Sequence, residues 1–397
     1  MINKKWEKKK IEDIFKETYE KNQPNSDVLT IIQGRGTVLR EASGREIIYD
    51  KNSLSNYKHV QKNDFIIHLR SFEGGLEIAN QDGIVSPAYI TLHPKIKIEP
   101  GYLYALFHSN QFINQTMAPA VEGARDGRSV KYEVLKKQSI AFPPLPEQRK
   151  IAEILTAQDR VIALKEKLVA EKRKQKKFLM QRLLSTDDTR PFKLNGVTIE
   201  KGKWEKKKIE DIFKETCEKN QSNSDVLTII QGRGTVLRED SGREIIYDKN
   251  GLSNYKHVQK NDFIIHLRSF EGGLEIANQD GIVSPAYITL HPKIKIEPGY
   301  LYALFHSNQF INQTMAPAVE GARDGRSVKY EVLKKQSIVF PPLPEQQAIA
   351  EVLSAADREI SLREQDLEQE RQKKKSLMQL LLSGLVRVNA PEDSHEL

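Results

Sequence analysis

Among 397 residues there is one cysteine, there are two tryptophans, and no apolar run approaches the roughly 18 residues that a membrane span needs. The lone thiol, Cys217, excludes an intrachain disulfide and any zinc site built on paired cysteines. The chain opens Met1-Ile2-Asn3-Lys4-Lys5 and stays charged, unlike a secretory leader, so export and membrane insertion are not expected and a cytoplasmic location is. Catalytic signatures are missing too. No glycine-rich phosphate loop is present, no His/Cys spacing suits zinc, and no Pro-Asp is followed by the Glu-x-Lys that would hold a nuclease metal. Phe142-Pro143-Pro144-Leu145 lacks the amide and the aromatic ring with which an amino-methyltransferase motif of the Asn/Asp-Pro-Pro-Tyr/Phe type grips its target base. His59, His68, His93 and His108 are scattered singly, which favours core or surface roles. Asp126 and Glu73 are what remains for an active site, and a non-enzyme is expected.

What is present is present twice. Residues 5–148 recur at 203–346 with a constant offset of 198, and only five of those 144 positions differ: Tyr19 becomes Cys217, Pro24 Ser222, Ala42 Asp240, Ser53 Gly251 and Ala141 Val339. Because Tyr19 stands where the second copy has Cys217, the thiol cannot serve a chemistry that both copies share. Two near-identical surfaces a fixed distance apart suit a two-part target, and the connector between them becomes part of the specificity.

After each copy the identity collapses, but helical character stays. Residues 147–184 and 345–382 are rich in Ala, Leu, Glu, Gln, Lys and Arg and contain no Gly or Pro. Ile151, Leu155, Ile162, Val169, Leu179 and Leu183 mark an apolar stripe in the first, and Ile349, Leu353, Ile360, Leu367, Leu377 and Leu381 mark one in the second. A single helix over either span would reach roughly 55 Å, too long to hide in one small domain. Such helices pair. The first carries 11 basic and 5 acidic residues, the second 6 and 8, so the two are electrically complementary although the whole chain is +8. A parallel pairing would set the basic run Arg173, Lys174, Lys176, Lys177 against Arg371, Lys373, Lys374, Lys375. An antiparallel one brings the first run near Glu351, Asp357 and Glu359 and the second near Glu153 and Asp159. Each such pair is worth only a few tenths of a kcal/mol, but several together select orientation. The expectation is an intramolecular antiparallel coiled coil that relates the two repeats by an approximate two-fold.

Each repeat reads as mixed α and β. Val28–Ile32, Glu46–Tyr49, Asp64–Leu69 and Ala88–Leu92 have the β-branched and aromatic content of strands, and Tyr102–Met117 reads as a helix. The turns carry glycine with arginine: Gln33-Gly34-Arg35-Gly36-Thr37, Arg70-Ser71-Phe72-Glu73-Gly74-Gly75 and Glu122-Gly123-Ala124-Arg125-Asp126-Gly127-Arg128-Ser129. Glycine lets the backbone approach a partner closely, and arginine offers a forked donor to a phosphate or a guanine edge. Three such loops in one domain point to a nucleic-acid surface. The expected DNA-binding residues are Gln33, Arg35, Thr37, Arg70, Ser71, Arg125, Arg128, Ser129 and Lys131, with Gln231, Arg233, Thr235, Arg268, Ser269, Arg323, Arg326, Ser327 and Lys329 in the second copy. Lys131 suits phosphate, whereas Tyr132 beside it belongs to the core. No catalytic residue or metal ligand is expected.

The most specific motif lies where repeat meets helix: Phe142-Pro143-Pro144-Leu145-Pro146-Glu147-Gln148, repeated as Phe340-Pro341-Pro342-Leu343-Pro344-Glu345-Gln346. Prolines stiffen the exit from the domain, Pro146 and Pro344 fit a helix start, and Glu147 and Glu345 suit the positive end of a helix dipole. This junction resembles that of the specificity subunits of type I restriction-modification systems, and the resemblance covers essentially the whole chain. The helices end in similar Leu-Met-Gln-(Arg or Leu)-Leu-Leu-Ser segments at 179–185 and 377–383, and Gly83-Ile84-Val85-Ser86-Pro87-Ala88-Tyr89 is similar to segments of some target-recognition domains.

The resemblance implies an α+β organisation of two target-recognition domains, 1–146 and 203–344. Spacer helices at 147–185 and 345–383, a linker at 186–202 and a tail at 384–397 complete it. It further implies a non-catalytic reader of a bipartite double-stranded DNA site that positions two methyltransferase subunits and, through the complex, restriction and translocase subunits. The chain itself would bind no cofactor. S-adenosylmethionine, ATP and magnesium would sit on the partners. The family's two recognition domains generally differ, and here they are almost the same, so an interrupted inverted repeat is the expected target. The competing expectation is a coiled-coil adaptor that binds proteins and not a DNA sequence.

Overall fold

The computed structural model describes residues 6–44, 51–69, 75–123, 128–185, 191–194, 197–199, 202–242, 249–267, 273–321 and 326–389. The chain forms two compact units. One comprises Met1–Glu166 with Gln365–Leu397, the other Lys167–Glu364. Each is therefore one repeat, the first half of the long helix that follows it and the second half of the other long helix.

In the first unit the strands run β1 (Glu7–Lys10), β2 (Phe15–Thr18), β3 (Leu29–Ile32), β4 (Gly36–Leu39), β5 (Lys58–Val60), β6 (Phe65–Ile67), β7 (Glu77–Ile78), β8 (Gly83–Val85), β9 (Ile90–Pro94), β10 (Val121–Glu122), β11 (Ser129–Val130) and β12 (Ser139–Phe142). An antiparallel sheet of order β2-β9-β6-β7 forms the centre, flanked by the β3–β4 hairpin and the β5–β8 pair, and β1 closes on β12. β6 explains why Phe65-Ile66-Ile67 is apolar without alternation. Phe65 and Ile67 face the main core with Phe15, Leu103 and Phe107, while Ile66 faces a smaller cluster of Leu29, Val60, Ala79 and Val85. A strand covered on both faces has no polar side to show. Phe65 stands edge-on to Phe15 and to Phe107, with centroids 5.4 and 5.1 Å apart.

The helix expected over Tyr102–Met117 is interrupted. A helix spans Pro100–Phe107, and a wider π-helical turn follows at Phe112–Met117. Ser109 makes the break: its buried hydroxyl donates to Leu106 O at 2.6 Å and accepts from Phe112 N at 3.2 Å, replacing backbone partners of a continuous helix. The strand expected at Glu46–Tyr49 lies outside the described residues.

The long helices span Leu145–Leu183 and Leu343–Leu382, and they run antiparallel in both units. In the first unit Asp159 pairs with Lys374 (2.5 Å), Lys165 with Asp366 (2.6 Å) and Glu370 (3.1 Å), and Glu166 with Arg371 (2.7 Å). In the second, Lys172 pairs with Glu359 (2.9 Å), Arg173 with Glu364 (2.7 Å) and Lys176 with Asp357 (2.5 Å). Asp159, Asp357 and Glu359 are acceptors that the charge pattern picks out; Glu153 instead binds Lys150 on its own helix. Beneath the charges most of the expected stripe is buried, Ile151, Leu155, Val169 and Leu183 in one helix and Ile349, Leu353, Leu367 and Leu381 in the other, while Ile162, Leu179, Ile360 and Leu377 are partly exposed. Leu381 and Leu382 enter the core of the first unit, and Leu183 and Leu184 enter that of the second. The second unit repeats the strand pairings at the offset of 198 and adds a hairpin of Phe192–Leu194 with Val197–Ile199.

The junction motif is more deeply built than a helix start requires. Gln148 is buried, its amide nitrogen donating to Pro143 O at 2.8 Å and its oxygen accepting from Glu99 N at 3.0 Å, so one side chain ties the proline exit to the preceding helix. Gln346 makes the same two bonds to Pro341 and Glu297. Pro146 falls inside the first turn of the helix rather than before it.

Candidate nucleic-acid interface

The β3–β4 hairpin turns through three residues, Gln33-Gly34-Arg35, between the paired Ile32 and Gly36. Gly34 and Gly36 have φ of +72° and +71°, a conformation that side chains resist. A Cβ on Gly36 would also sit 2.5 Å from Ile78 O, so the loop is pressed against β7. This close approach has a purpose in the hydrogen bonding. Glu77, on β7 and only 5% exposed, accepts from Gly34 N at 2.7 Å and from Gly36 N at 2.9 Å. From the opposite side Tyr104 OH donates to the same carboxylate at 3.3 Å, and His108 Nε2 lies 3.1 Å away. Burial by itself would push the Glu77 carboxyl up. The hydrogen bonds from His108 and the two glycines, with the charge on His108, outweigh it and hold the group below the usual glutamate range.

Asn80 secures the carbonyl side of the turn. Its amide donates to Arg35 O at 2.8 Å and to Thr37 O at 2.9 Å, while its backbone N–H donates to the Thr37 hydroxyl at 3.0 Å. The backbone is thus held from two directions while the Gln33 and Arg35 side chains are exposed. Thr37, one of the expected contact residues, is buried and spends its hydroxyl on the loop's support. The second copy is the same almost atom for atom: Gly232 and Gly234 donate to Glu275 at 2.7 and 3.0 Å, Asn278 holds Arg233 and Thr235, and Gln231 and Arg233 are exposed. Thr235 is buried like Thr37.

The third loop is described at its edges. Arg128 and Arg326 are exposed, and Ser129 and Ser327 lie on the short strand pair that closes the loop. Lys131 reaches Glu122 at 3.7 Å, and Lys329 reaches Glu320 at 3.8 Å, both across exposed side chains. An ion pair so open to water yields easily to a phosphate. Tyr132 is packed against the core, with its phenol pushed up to about 12 by burial. Arg70, Ser71, Arg125, Arg268, Ser269 and Arg323 lie outside the described residues, as do Glu73 and Asp126. The flanks of the loops do meet: Val130 N donates to Leu69 O at 3.0 Å, joining the end of the third loop to the start of the second, and Glu77 follows closely on the second.

The scattered histidines take structural partners. His93 lies 2.7 Å from the buried Asp64, His108 from Glu77 as above, His59 3.3 Å from Glu20, and the His68 ring packs at a tilt against Tyr89. Among the described residues no group of three or more metal-binding side chains converges, and no helix is long and apolar enough to cross a membrane. Glu77 and Asn80 are the functional supports that motif reading passes over. Their one signal is local: an acid inside Leu76-Glu77-Ile78-Ala79, where every neighbour is apolar, is an acid with partners.

Comparison with known proteins identifies the family and the fold. The family model "Type I restriction modification DNA specificity domain" matches residues 3–171 and again 201–370. The type I restriction enzyme MjaVIII specificity subunit of Methanocaldococcus jannaschii is 26% identical over 351 residues, covering 83% of this chain and 80% of that one. In fold, the chain is similar to the type I restriction-modification S subunit from M. genitalium (TM-score 0.53, 14% identity, covering 99% of this chain and 98% of that one). A chain from a structure of type I restriction-modification complex assembly and conformational transition matches at TM-score 0.58 with 12% identity, covering 96% of this chain and 98% of that one. With a doubled family match that takes in most of its length, the protein belongs to the type I restriction-modification DNA specificity family, as a two-domain specificity subunit.

Proposed function

We propose that each unit reads one half of a bipartite double-stranded DNA site and that both halves carry the same sequence on opposite strands. The observation that carries this reading is the reciprocal build of the units. Each takes the start of its own long helix and the end of the other, and each presents the same exposed Gln-Gly-Arg loop on the same buried glutamate. Two identical readers, each packed on an antiparallel helix pair, suit a target whose halves are inverted copies. The helix pair then sets the spacer.

In this reading the chain works in the cytoplasm and is a non-catalytic member of a methyltransferase and endonuclease complex. It binds two modification subunits and, through the complex, restriction and translocase subunits. S-adenosylmethionine, ATP and magnesium are held by those partners. The contacts to DNA come from Gln33, Arg35, Arg128, Ser129, Lys131 and their counterparts, with the loops at Arg70, Ser71 and Arg125 completing the surface. Binding of the chain, assembled with its methyltransferase subunits, to specific and scrambled duplexes at two salt concentrations tests this. A reader loses affinity steeply as salt rises and keeps its preference for one sequence. A protein-binding adaptor shows neither.

A further inference from the structure

We infer that Glu77 and Glu275 are positioning residues for base reading: each fixes the conformation in which its Gln-Gly-Arg loop meets a base edge. The inference rests on the DNA-reading role proposed above and adds to it the group that makes the loop precise.

Each carboxylate oxygen has two partners of different origin. Oε1 of Glu77 takes Gly34 N from the loop and faces Nε2 of His108; Oε2 takes Gly36 N from the loop and the hydroxyl of Tyr104. Glu275 repeats the division with Gly232 and His306 on one oxygen, Gly234 and Tyr302 on the other. One group thus fastens a surface loop to the helix that carries Phe107 or Phe305 in the core. A carboxylate buried to this degree is costly unless it is fully hydrogen-bonded. Here half of its donors are backbone groups of the loop that carries the arginine. The five positions at which the copies differ include none of the residues in either cluster.

The loop's chemistry makes such an anchor useful. Glutamine pairs in bidentate fashion with an adenine edge, and arginine with a guanine edge. Both pairings need two bonds in one plane, so a loop free to rock by an ångström loses one of them. Lysine–phosphate contacts elsewhere on the surface tolerate the same movement. A positioning role therefore predicts loss of discrimination at particular bases and little change in the salt-dependent part of binding.

The test uses the full chain in complex with its methyltransferase subunits and compares the cognate duplex with duplexes changed one base pair at a time. Glu77→Gln with Glu275→Gln removes one acceptor oxygen from each anchor. Gly34→Ala with Gly232→Ala leaves the anchor intact and strains the loop, since both glycines have positive φ and nothing within 4 Å of an added Cβ. Gly44→Ala with Gly242→Ala is the control, imposing equal strain, also in open space, at another turn. The expected result is that the first two variants each lose about tenfold or more of the discrimination at the same base pair in both half-sites. Their salt slope should match that of the control. Wild-type discrimination at every position in both variants overturns the inference, and so does a uniform loss at all positions that tracks a fall in melting temperature. If the unmodified complex shows no sequence preference at all, the DNA-reading role itself fails, which is a distinguishable result.

Discussion

Two regions of each unit respond differently to duplication. The loop anchors are alike to within 0.1 Å, Gly34 and Gly232 both lying 2.7 Å from their glutamates and Gly36 and Gly234 lying 2.9 and 3.0 Å. At the junctions the repeated motif meets segments of chain that are not themselves repeated. Glu147 accepts Trp6 Nε1 at 3.0 Å and a two-pronged bond from Arg387 at 2.7 and 2.7 Å, the guanidinium also lying 5.6 Å from the Trp6 ring centroid. Glu345 accepts Trp204 Nε1 at 3.1 Å and the backbone of Gly202 at 2.8 Å. Among the described residues, the C-terminal tail thus reaches Glu147 and the linker reaches Glu345. The copies thus coincide in the loops that would face DNA, while their junctions draw on unlike sequence outside the repeat.

The strongest perturbation of this comparison is a core truncation placed in one copy. Phe107→Ala should destabilise the first unit by roughly 3–5 kcal/mol, the cost of removing a large buried ring. Phe305→Ala should do the same to the second. Denaturant unfolding should then split into two transitions, with the early one assigned to the mutated unit by segment-resolved hydrogen exchange. A single unsplit transition in both variants would mean the units do not unfold separately.

A smaller and one-sided effect is expected from Arg387→Ala. It strands a carboxylate whose side chain is 6% exposed, and such a loss costs about 1–3 kcal/mol. Arg387 belongs to the first unit, so protection in the second should stay unchanged in the same exchange experiment.

The two glutamate anchors should show themselves in acid. Glu77 and Glu275 are held below the usual glutamate value, so their stabilisation is fully present above about pH 4.3 and is lost as pH falls through the lower folded value. Asp64 and Asp262 are raised by burial and act in the opposite sense, gaining relief on protonation. Comparing the wild type with Glu77→Gln/Glu275→Gln across pH isolates the glutamate part. The stability difference should be largest near neutrality and should shrink below pH 4; a difference independent of pH would remove the ionised anchor from the account.

The weakest effect belongs to the helix pair. Lys165→Glu sets like charges against Asp366 and Glu370 in the first unit, and Lys172→Glu does so against Glu359 in the second. All three pairs are partly exposed to solvent. The destabilisation should be small and should fade as salt is raised from low to physiological levels, read as a shift in melting temperature.

How much of this was legible follows from the range of the interactions. The helices announce themselves locally, by composition and by the stripe from Ile151 to Leu183, and their direction follows from where Asp159, Asp357 and Glu359 stand relative to the basic runs. The Gln33-Gly34-Arg35 turn is visible because glycine and arginine are turn and contact residues in their own right. For Glu77 the apolar neighbours signal burial but not the role, since its partners lie 27 to 43 residues away and nothing in the linear order places Gly34 beside His108. The break in Tyr102–Met117 hides for a related reason: Ser109 is an ordinary helix residue until its hydroxyl takes up backbone bonds. Glu147 carries a local rationale, the helix dipole, that is true of its position but leaves out Arg387, 240 residues on.

The central claim, that two like readers select a symmetric target, is tested most directly by sequencing methylated bases in a cell whose only type I system contains this chain. The account predicts an interrupted motif whose two halves are inverted copies of one sequence, methylated on both strands at equivalent positions. A bipartite motif with two different halves would contradict it.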